Sequence, residues 1–191
     1  MKNEYYPWSG EFTVCKNDGC VAVVLLQIDY TPPSDVAIYG PLKTENIGIE
    51  KIVANVISNP YIRYLVVCGD DVRGHRSGSS LIALYKYGID RQHKIVDAPG
   101  AIPYIENLKP EAIERFRAQL KVIDLIEVRD NEKIDAAVKE CIVKSPPSFG
   151  EPYIAIRIKT EVPVKIDDKR ALHSKIVVNY MGKIEKREVD K

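Results

Sequence analysis

Apolar and polar positions along this chain change period several times, and the changes predict its elements. From Val21 to Ile28 a nearly unbroken apolar run, rich in β-branched residues, has the pattern of a strand covered on both faces. Between Thr44 and Ser58, Ile47, Ile49, Ile52, Val53, Val56 and Ile57 recur near helical spacing, which predicts an amphipathic helix. Thr44 can cap it and Glu45 suits its first turn, while Asn59-Pro60 stops it. Tyr64 to Cys68 reads as a second buried strand ending at Gly69, and Ser77 to Tyr87 as a helix closed by Gly88. Lys94 to Asp97 reads as a short third strand, followed by a bend over Ala98 to Pro103. Pro110 opens a helix running to about Leu120. Val122 to Val128 is a fourth strand, and Asn131 to Lys144 a helix with Ile134, Ala137, Val138 and Cys141 inward.

This strand–helix alternation predicts an α/β domain: Rossmann-like and doubly wound, with a mostly parallel sheet and helices on both faces. The pattern shifts at Ser145-Pro146-Pro147-Ser148-Phe149-Gly150. The expected division is therefore a domain over 1–148 and a small antiparallel β appendix over 149–191. In the appendix Ile154, Ile156 and Ile158 alternate with Ala155, Arg157 and Lys159, a period of two. Ile176 to Tyr180 and Lys183 to Arg187 flank Met181-Gly182, a hairpin signal.

The 191 residues are 45% apolar and 29% charged, which excludes wholesale disorder. Lys and Arg number 28 against 27 Asp and Glu, leaving a net charge of +1. Such a balance creates no bulk field for nucleic acid or anionic lipid. The longest apolar run, Cys20 to Leu26, is seven residues, far short of the roughly 20 that span a bilayer. The start of the chain carries no signal-peptide pattern. The expectation is a soluble cytoplasmic protein with no membrane anchor and no nucleic-acid partner. Its four cysteines do not form a disulfide framework. Cys68 and Cys141 sit in apolar contexts, and Cys15 and Cys20 flank Lys16-Asn17-Asp18-Gly19, a turn between two strands, with no second pair to complete a zinc site.

In doubly wound sheets, ligands bind beyond the carboxyl ends of the strands. The most unusual loop at such a place is Gly69-Asp70-Asp71-Val72-Arg73-Gly74-His75-Arg76-Ser77-Gly78. Gly69 and Gly74 have phosphate-loop spacing, but His75 and Arg76 replace the Lys and Ser/Thr of that motif. Nucleotide hydrolysis is thereby disfavoured, and a simple anion site at the helix N-terminus remains open. His75 and Gly78 also match half of the Asp-x-His-x-x-Gly pattern of corrinoid proteins, with Arg73 in the aspartate's place. A plain surface loop is the third possibility. His93 and His173 lie in no comparable context.

Several long strings carry a resemblance. They are Gly40-Pro41-Leu42-Lys43-Thr44-Glu45-Asn46-Ile47-Gly48-Ile49-Glu50-Lys51, Asn55-Val56-Ile57-Ser58-Asn59-Pro60, Cys68-Gly69 with Gly74-His75, and Gly100-Ala101-Ile102-Pro103-Tyr104-Ile105-Glu106-Asn107. From about Trp8 to Lys144 the chain resembles the A subunit of archaeal tetrahydromethanopterin S-methyltransferase. That resemblance implies a Rossmann-like fold binding a cobamide (cobalamin). The cofactor moves a methyl group from a methylated tetrahydropterin toward a thiol such as coenzyme M. His75 is the implied lower axial cobalt ligand. Its other ring nitrogen then needs an acceptor. With Arg73 in the usual aspartate slot, the candidates are Asp70, Asp71, Glu45 and Glu50, with the glutamates favoured.

Close approach to the corrin would fall to Gly74, Gly78, Gly100 and Ala101, and packing against it to Leu42, Ile102 and Pro103. Ser77, Ser79 and Ser80 would suit the phosphate of the cofactor's tail, and Thr44, Asn46 and Arg76 complete the cofactor-contacting set. The family's membrane-bound members end in an apolar anchor, whereas this chain ends in a polar extension and resembles a stand-alone soluble relative. Partner proteins would deliver and remove the methyl group. The alternative is a non-catalytic module that stores or senses a cobamide or another phosphate-bearing ligand.

Overall fold

The computed structural model describes residues 5–157 and three short strands nearer the C-terminus. The chain divides into two compact units, 1–158 and 159–191. The first is α/β, with elements in the order β1 (Thr13–Val14), β2 (Val21–Leu25), β3 (Ile38–Pro41), α1 (Ile47–Ser58), β4 (Tyr64–Gly69), α2 (Ser77–Tyr87), α3 (Pro110–Gln119), β5 (Lys121–Ile126) and α4 (Asn131–Lys144).

The five strands form one mixed sheet in the order β1-β3-β2-β4-β5. The β3–β2, β2–β4 and β4–β5 pairings are parallel, and β1 adds an antiparallel edge. Because β2 and β4 are central, alternate side chains feed two cores. Ala22, Val24, Leu65 and Val67 point to the face covered by α1, α2 and α3. Val21, Val23, Val66 and Cys68 point to the face covered by α4 through Ile134, Val138 and Cys141. Burial on both faces explains why these strands read as continuous apolar runs.

Several expectations need correction. The helix at 44–58 starts at Ile47, capped by Asn46, whose side chain accepts from the Ile47 N–H. Thr44 instead accepts from the Gly48 N–H through Oγ1 at 2.9 Å. Lys94–Asp97 is not a strand: only isolated bridges occur, Ile89 with Ile95 and Lys94 with Tyr104. The positive φ of His93 and Asp97 (63° and 56°) breaks the extended backbone on either side. The strand expected before the Lys16–Gly19 turn is β1, though it pairs with β3 and not with β2; β3 has no long apolar run and is not predicted.

Ser145 to Tyr153 is a strap held to the first unit at the end of the sheet where its parallel strands begin. The Phe149 ring lies between two guanidinium groups, 5.2 Å from that of Arg63 and 4.7 Å from that of Arg115. Phe149 and Tyr153 donate backbone N–H bonds to Pro60 and Ile57. Tyr153, Ala155 and Ile156 pack on the larger core, so the alternation there marks an extended segment packed on the body and not a paired strand.

In the second unit Leu172–His173, Ile176–Val178 and Ile184–Lys186 (β6 to β8) pair antiparallel. The expected Met181-Gly182 turn and the position of Ile158 lie outside the described residues. No helix among the described residues is long and apolar enough to cross a membrane. All four cysteines are free; Cys20, Cys68 and Cys141 are buried and Cys15 is exposed.

Candidate functional site

The parallel pairing of β2, β3 and β4 brings their carboxyl ends together, and with them the loops after Leu25, Pro41 and Gly69. Gly69 is in the left-handed region at φ +94°, and a Cβ there would lie 2.8 Å from Ile28. Glycine is thus required where the third loop leaves the sheet. That loop then carries its two aspartates away from His75. Asp70 pairs with Arg129 at 2.7 Å. Asp71 accepts from the N–H groups of Gly78 and Ser79, at 2.9 and 2.8 Å. It therefore caps α2 from seven residues upstream, while the residue preceding the helix, Arg76, is left-handed with no side-chain cap.

This cap closes the anion site considered for the α2 N-terminus, because a carboxylate already occupies its donors. Ser77 and Ser80 are buried, and the Ser80 Oγ accepts from Gly100 N–H. The expected phosphate-binding role of this serine cluster is therefore not supported. Neither aspartate serves His75.

Glu45 does. Its side chain is 4% exposed and its Oε2 lies 3.0 Å from His75 Nδ1. Oε1 accepts from Ile102 N–H at 3.1 Å. Burial pushes this carboxyl up, but hydrogen bonds from its own N–H, from Ile102 N–H and from His75 outweigh burial and hold it below its ordinary value. An ionised carboxylate only accepts. Nδ1 is therefore the protonated nitrogen in this pair, and whenever the ring is neutral Nε2 is the one left without a proton. The His75 side chain is 58% exposed, so that nitrogen is accessible. Glu50, the other glutamate considered, is committed elsewhere: it accepts from Asn107 N–H and Nδ2 at 2.7 and 2.6 Å. Arg73 and Arg76 are exposed beside His75.

Glu45 also explains why the 98–103 bend sits here. It joins that bend to the His75 loop, and Gly100 packs into the junction. A Cβ on Gly100 would fall 2.7 Å from His75 O, 2.7 Å from Ser80 Oγ and 2.8 Å from Glu45 Cγ. Its neighbours differ in exposure. Ala101 is exposed and Ile102 is 59% exposed, whereas Pro103 is buried and its carbonyl accepts from Ile95 N–H. Leu42 is a core residue at 5% exposure. Gly78 is pressed against Leu26, 2.5 Å from its would-be Cβ, while a Cβ on Gly74, at φ +96°, would meet nothing within 4 Å.

The structure thus joins His75, Glu45, Gly100 and Ile102 through hydrogen bonds and close packing, with Gly74 and Ala101 next to them in the chain. Leu42, Pro103 and Glu50 support this group from the interior, and Thr44 and Asn46 shape the start of α1. Asp71, which no sequence expectation singled out as a cap, nevertheless has a readable signal. It is an aspartate just upstream of a Ser/Gly-rich helix start that has no capping residue of its own.

The family described as the A subunit of tetrahydromethanopterin S-methyltransferase matches residues 1–165. The chain is 47% identical over 157 residues to A subunit 2 of the tetrahydromethanopterin S-methyltransferase of Methanobrevibacter ruminantium, covering 80% of this chain and 81% of that protein. It is 46% identical over 155 residues to A subunit 1 of the Methanothermobacter thermautotrophicus enzyme, covering 79% of this chain and 65% of the relative. The A subunit of the Methanococcus aeolicus enzyme is 47% identical over 148 residues, covering 75% and 62% respectively. The chain thus spans slightly less than two thirds of the longer relatives and most of the shorter one. On the extent of this match and the identity it carries, the chain belongs to the family of tetrahydromethanopterin S-methyltransferase A subunits.

Proposed function

We propose that this protein is a cobamide-binding methyl carrier. It would accept a methyl group from a methylated tetrahydropterin and pass it to a thiol such as coenzyme M, with partner proteins supplying both substrates. The observation that carries this reading is the His75–Glu45 pair: a solvent-accessible imidazole whose Nδ1 is held at 3.0 Å by a buried carboxylate. The donor set fits the group. A corrinoid would bring most of its metal's ligands with it, so the protein would need to offer a single neutral donor, and His75 Nε2 would be that donor. When bound, the corrinoid supplies the atom that takes up and releases the methyl group.

The chain's own residues have three tasks in this reading. Glu45 holds the proton at Nδ1 and so keeps Nε2 free, the usual job of a carboxylate behind a metal-ligating histidine. Gly74 and Ala101 keep bulk away from the ring face, and Gly100 lets the 98–103 bend close onto the His75 loop and Glu45. Ile102 offers exposed apolar surface for a broad planar ligand. The Rossmann-like, doubly wound description belongs to the same reading. It is supported by the parallel β3–β2–β4–β5 arrangement and by helices on both faces. Asp71 at the α2 N-terminus speaks against the alternative of a simple phosphate-binding module.

The test is spectroscopic. The protein reconstituted with a cobamide is reduced to cobalt(II), and its histidines are labelled with heavy nitrogen. A change in the nitrogen hyperfine pattern on labelling, lost in His75→Ala, is expected. A pattern that labelling leaves unchanged rules His75 out as the ligand.

A further inference from the structure

We infer that the free edge of β5 is a docking site for an extended segment of a partner protein, one that carries a basic side chain opposite Asp124 and apolar or β-branched side chains on either side of it. The inference goes beyond the cofactor reading and needs no ligand at His75, so failure of that reading leaves it standing.

The sheet has two edges, and they differ. β1 is two residues long, and so short a strand offers little to pair with. β5, at the other edge, has six residues and pairs only with β4 among the described residues. The backbone bonds show which of its groups are spent. Lys121 N–H donates to Arg63 O at 2.8 Å and Glu127 N–H to Gly69 O at 2.9 Å, so the odd-numbered residues face β4. In a parallel ladder the residues between them turn their N–H and C=O groups the other way. Those of Val122, Asp124 and Ile126 therefore point out of the sheet. One of these groups has a local partner: Ile126 N–H donates to Asp124 Oδ1 at 3.1 Å.

Edge strands are ordinarily kept from pairing by lysine, proline, a bulge or a covering loop. The middle of β5 is instead apolar and half-buried: Val122 and Ile126 lie on the face of the larger core, and Ile123 and Leu125 on the face of α4. An added strand would extend both rows. Asp124, exposed between them, decides what that strand is. A second copy of this chain would add antiparallel about a two-fold axis. The register that sets Val122 against Ile126 and Ile123 against Leu125 also sets Asp124 against Asp124, and like charges directly opposite destabilise a pair. A foreign strand with Lys or Arg at that place gains what the second copy loses. The carboxylate then exchanges Ile126 N–H for the cation, and a carbonyl of the incoming strand accepts from that N–H. The edge also ends beside the candidate site. Gly69 and Asp70, the root of the His75 loop, are tied to the residues that follow β5, Gly69 by the Glu127 N–H and Asp70 by Arg129 at 2.7 Å. A segment seated on β5 would bring its protein next to that loop.

The experiment uses the full chain, labelled with heavy nitrogen, and a short capped peptide in which valine and threonine alternate about a central arginine. The peptide should shift the amide resonances of Val122, Asp124 and Ile126 and slow their exchange with solvent deuterium. The same peptide with a central glutamate should bind roughly fivefold more weakly. Asp124→Lys should reverse that order, so that the glutamate peptide binds better. Val122→Pro removes one outward N–H, a change that edge strands tolerate. It should weaken both peptides while the Ile123 and Leu125 amides, which face β4, stay protected. Peptides that shift no β5 amide overturn the inference, as does a preference for arginine that survives Asp124→Lys. Protection of the Val122 and Ile126 amides that rises with protein concentration alone also overturns it, because the edge then belongs to a second copy.

Discussion

Replacing Glu45 with glutamine should change which nitrogen of His75 carries the proton, without changing the shape of the site. In the native protein Oε1 accepts from Ile102 N–H and Oε2 faces His75 Nδ1. A glutamine can satisfy Ile102 with its carbonyl only by turning its amide N–H toward the ring. The opposite orientation would set donor against donor at Ile102. Nδ1 must then accept, and the proton of the neutral ring moves to Nε2. A hydrogen bond to a charged acceptor contributes about 1.5–3 kcal/mol. The His75 side chain is 58% exposed, so water competes for the ring and roughly 1 kcal/mol remains. That corresponds to about a fivefold change in the ratio of the two tautomers. The assay needs no cofactor: nitrogen NMR of the His75 ring, at a pH where it is neutral, distinguishes the tautomers directly. The native ring should be mainly protonated at Nδ1 and the variant displaced toward Nε2. An identical tautomer ratio in the two proteins would refute the argument that Glu45 holds Nε2 free.

The other expected outcomes concern the same surroundings. Because hydrogen bonds hold the Glu45 carboxyl below its ordinary value, its contribution is fully present above the ordinary carboxylate range and is lost as pH falls through the lowered value. Urea midpoints of the native protein and Glu45→Gln should therefore converge on acidification. Glu50→Ala removes an acceptor that is 1% exposed and both bonds to Asn107. It should cost about 2–4 kcal/mol by chemical denaturation, with the His75 tautomer unaltered. Asp71→Ala orphans the Gly78 and Ser79 N–H groups and should cost about 1–2 kcal/mol, read as a lower melting temperature. A thiol reagent should modify Cys15 in the folded protein and the other three cysteines only after unfolding. Burial withdraws those three and pushes the Cys68 thiol up to about 11.

The central strands and the four helices among the described residues were legible because their burial is one- or two-sided and therefore periodic. β3 was not. It is four residues long and includes Gly40 and Pro41, and its pairing partner is chosen by the sheet and not by its own sequence. The site divides in the same way. His75 stood out through the company it keeps in one loop. The choice between Glu45 and Glu50 was closed to sequence reasoning, because both lie near the start of one helix. What separates them is that Glu45 precedes the helix and turns toward the 98–103 bend, whereas Glu50, inside the first turn, points at Asn107. The phosphate expectation failed for a comparable reason. Ser77, Ser79 and Ser80 look like an anion-binding helix start, and only the fold reveals that Asp71 has already filled it.

The burial of β4 on both faces bears on how motion is distributed near His75. Val66, Val67 and Cys68 are fully buried and hydrogen-bonded on both sides, to β2 and to β5. Their amides should exchange with solvent deuterium only through global unfolding. A few residues further on, Arg73 to Arg76 are exposed, and their amides should exchange through local opening alone. Protection should thus fall from its maximum to nearly nothing across the six residues from Cys68 to Arg73. With so short a gradient, the histidine loop can open and close while the sheet supporting it stays shut. Ligand entry would then draw on none of the free energy that holds the domain folded.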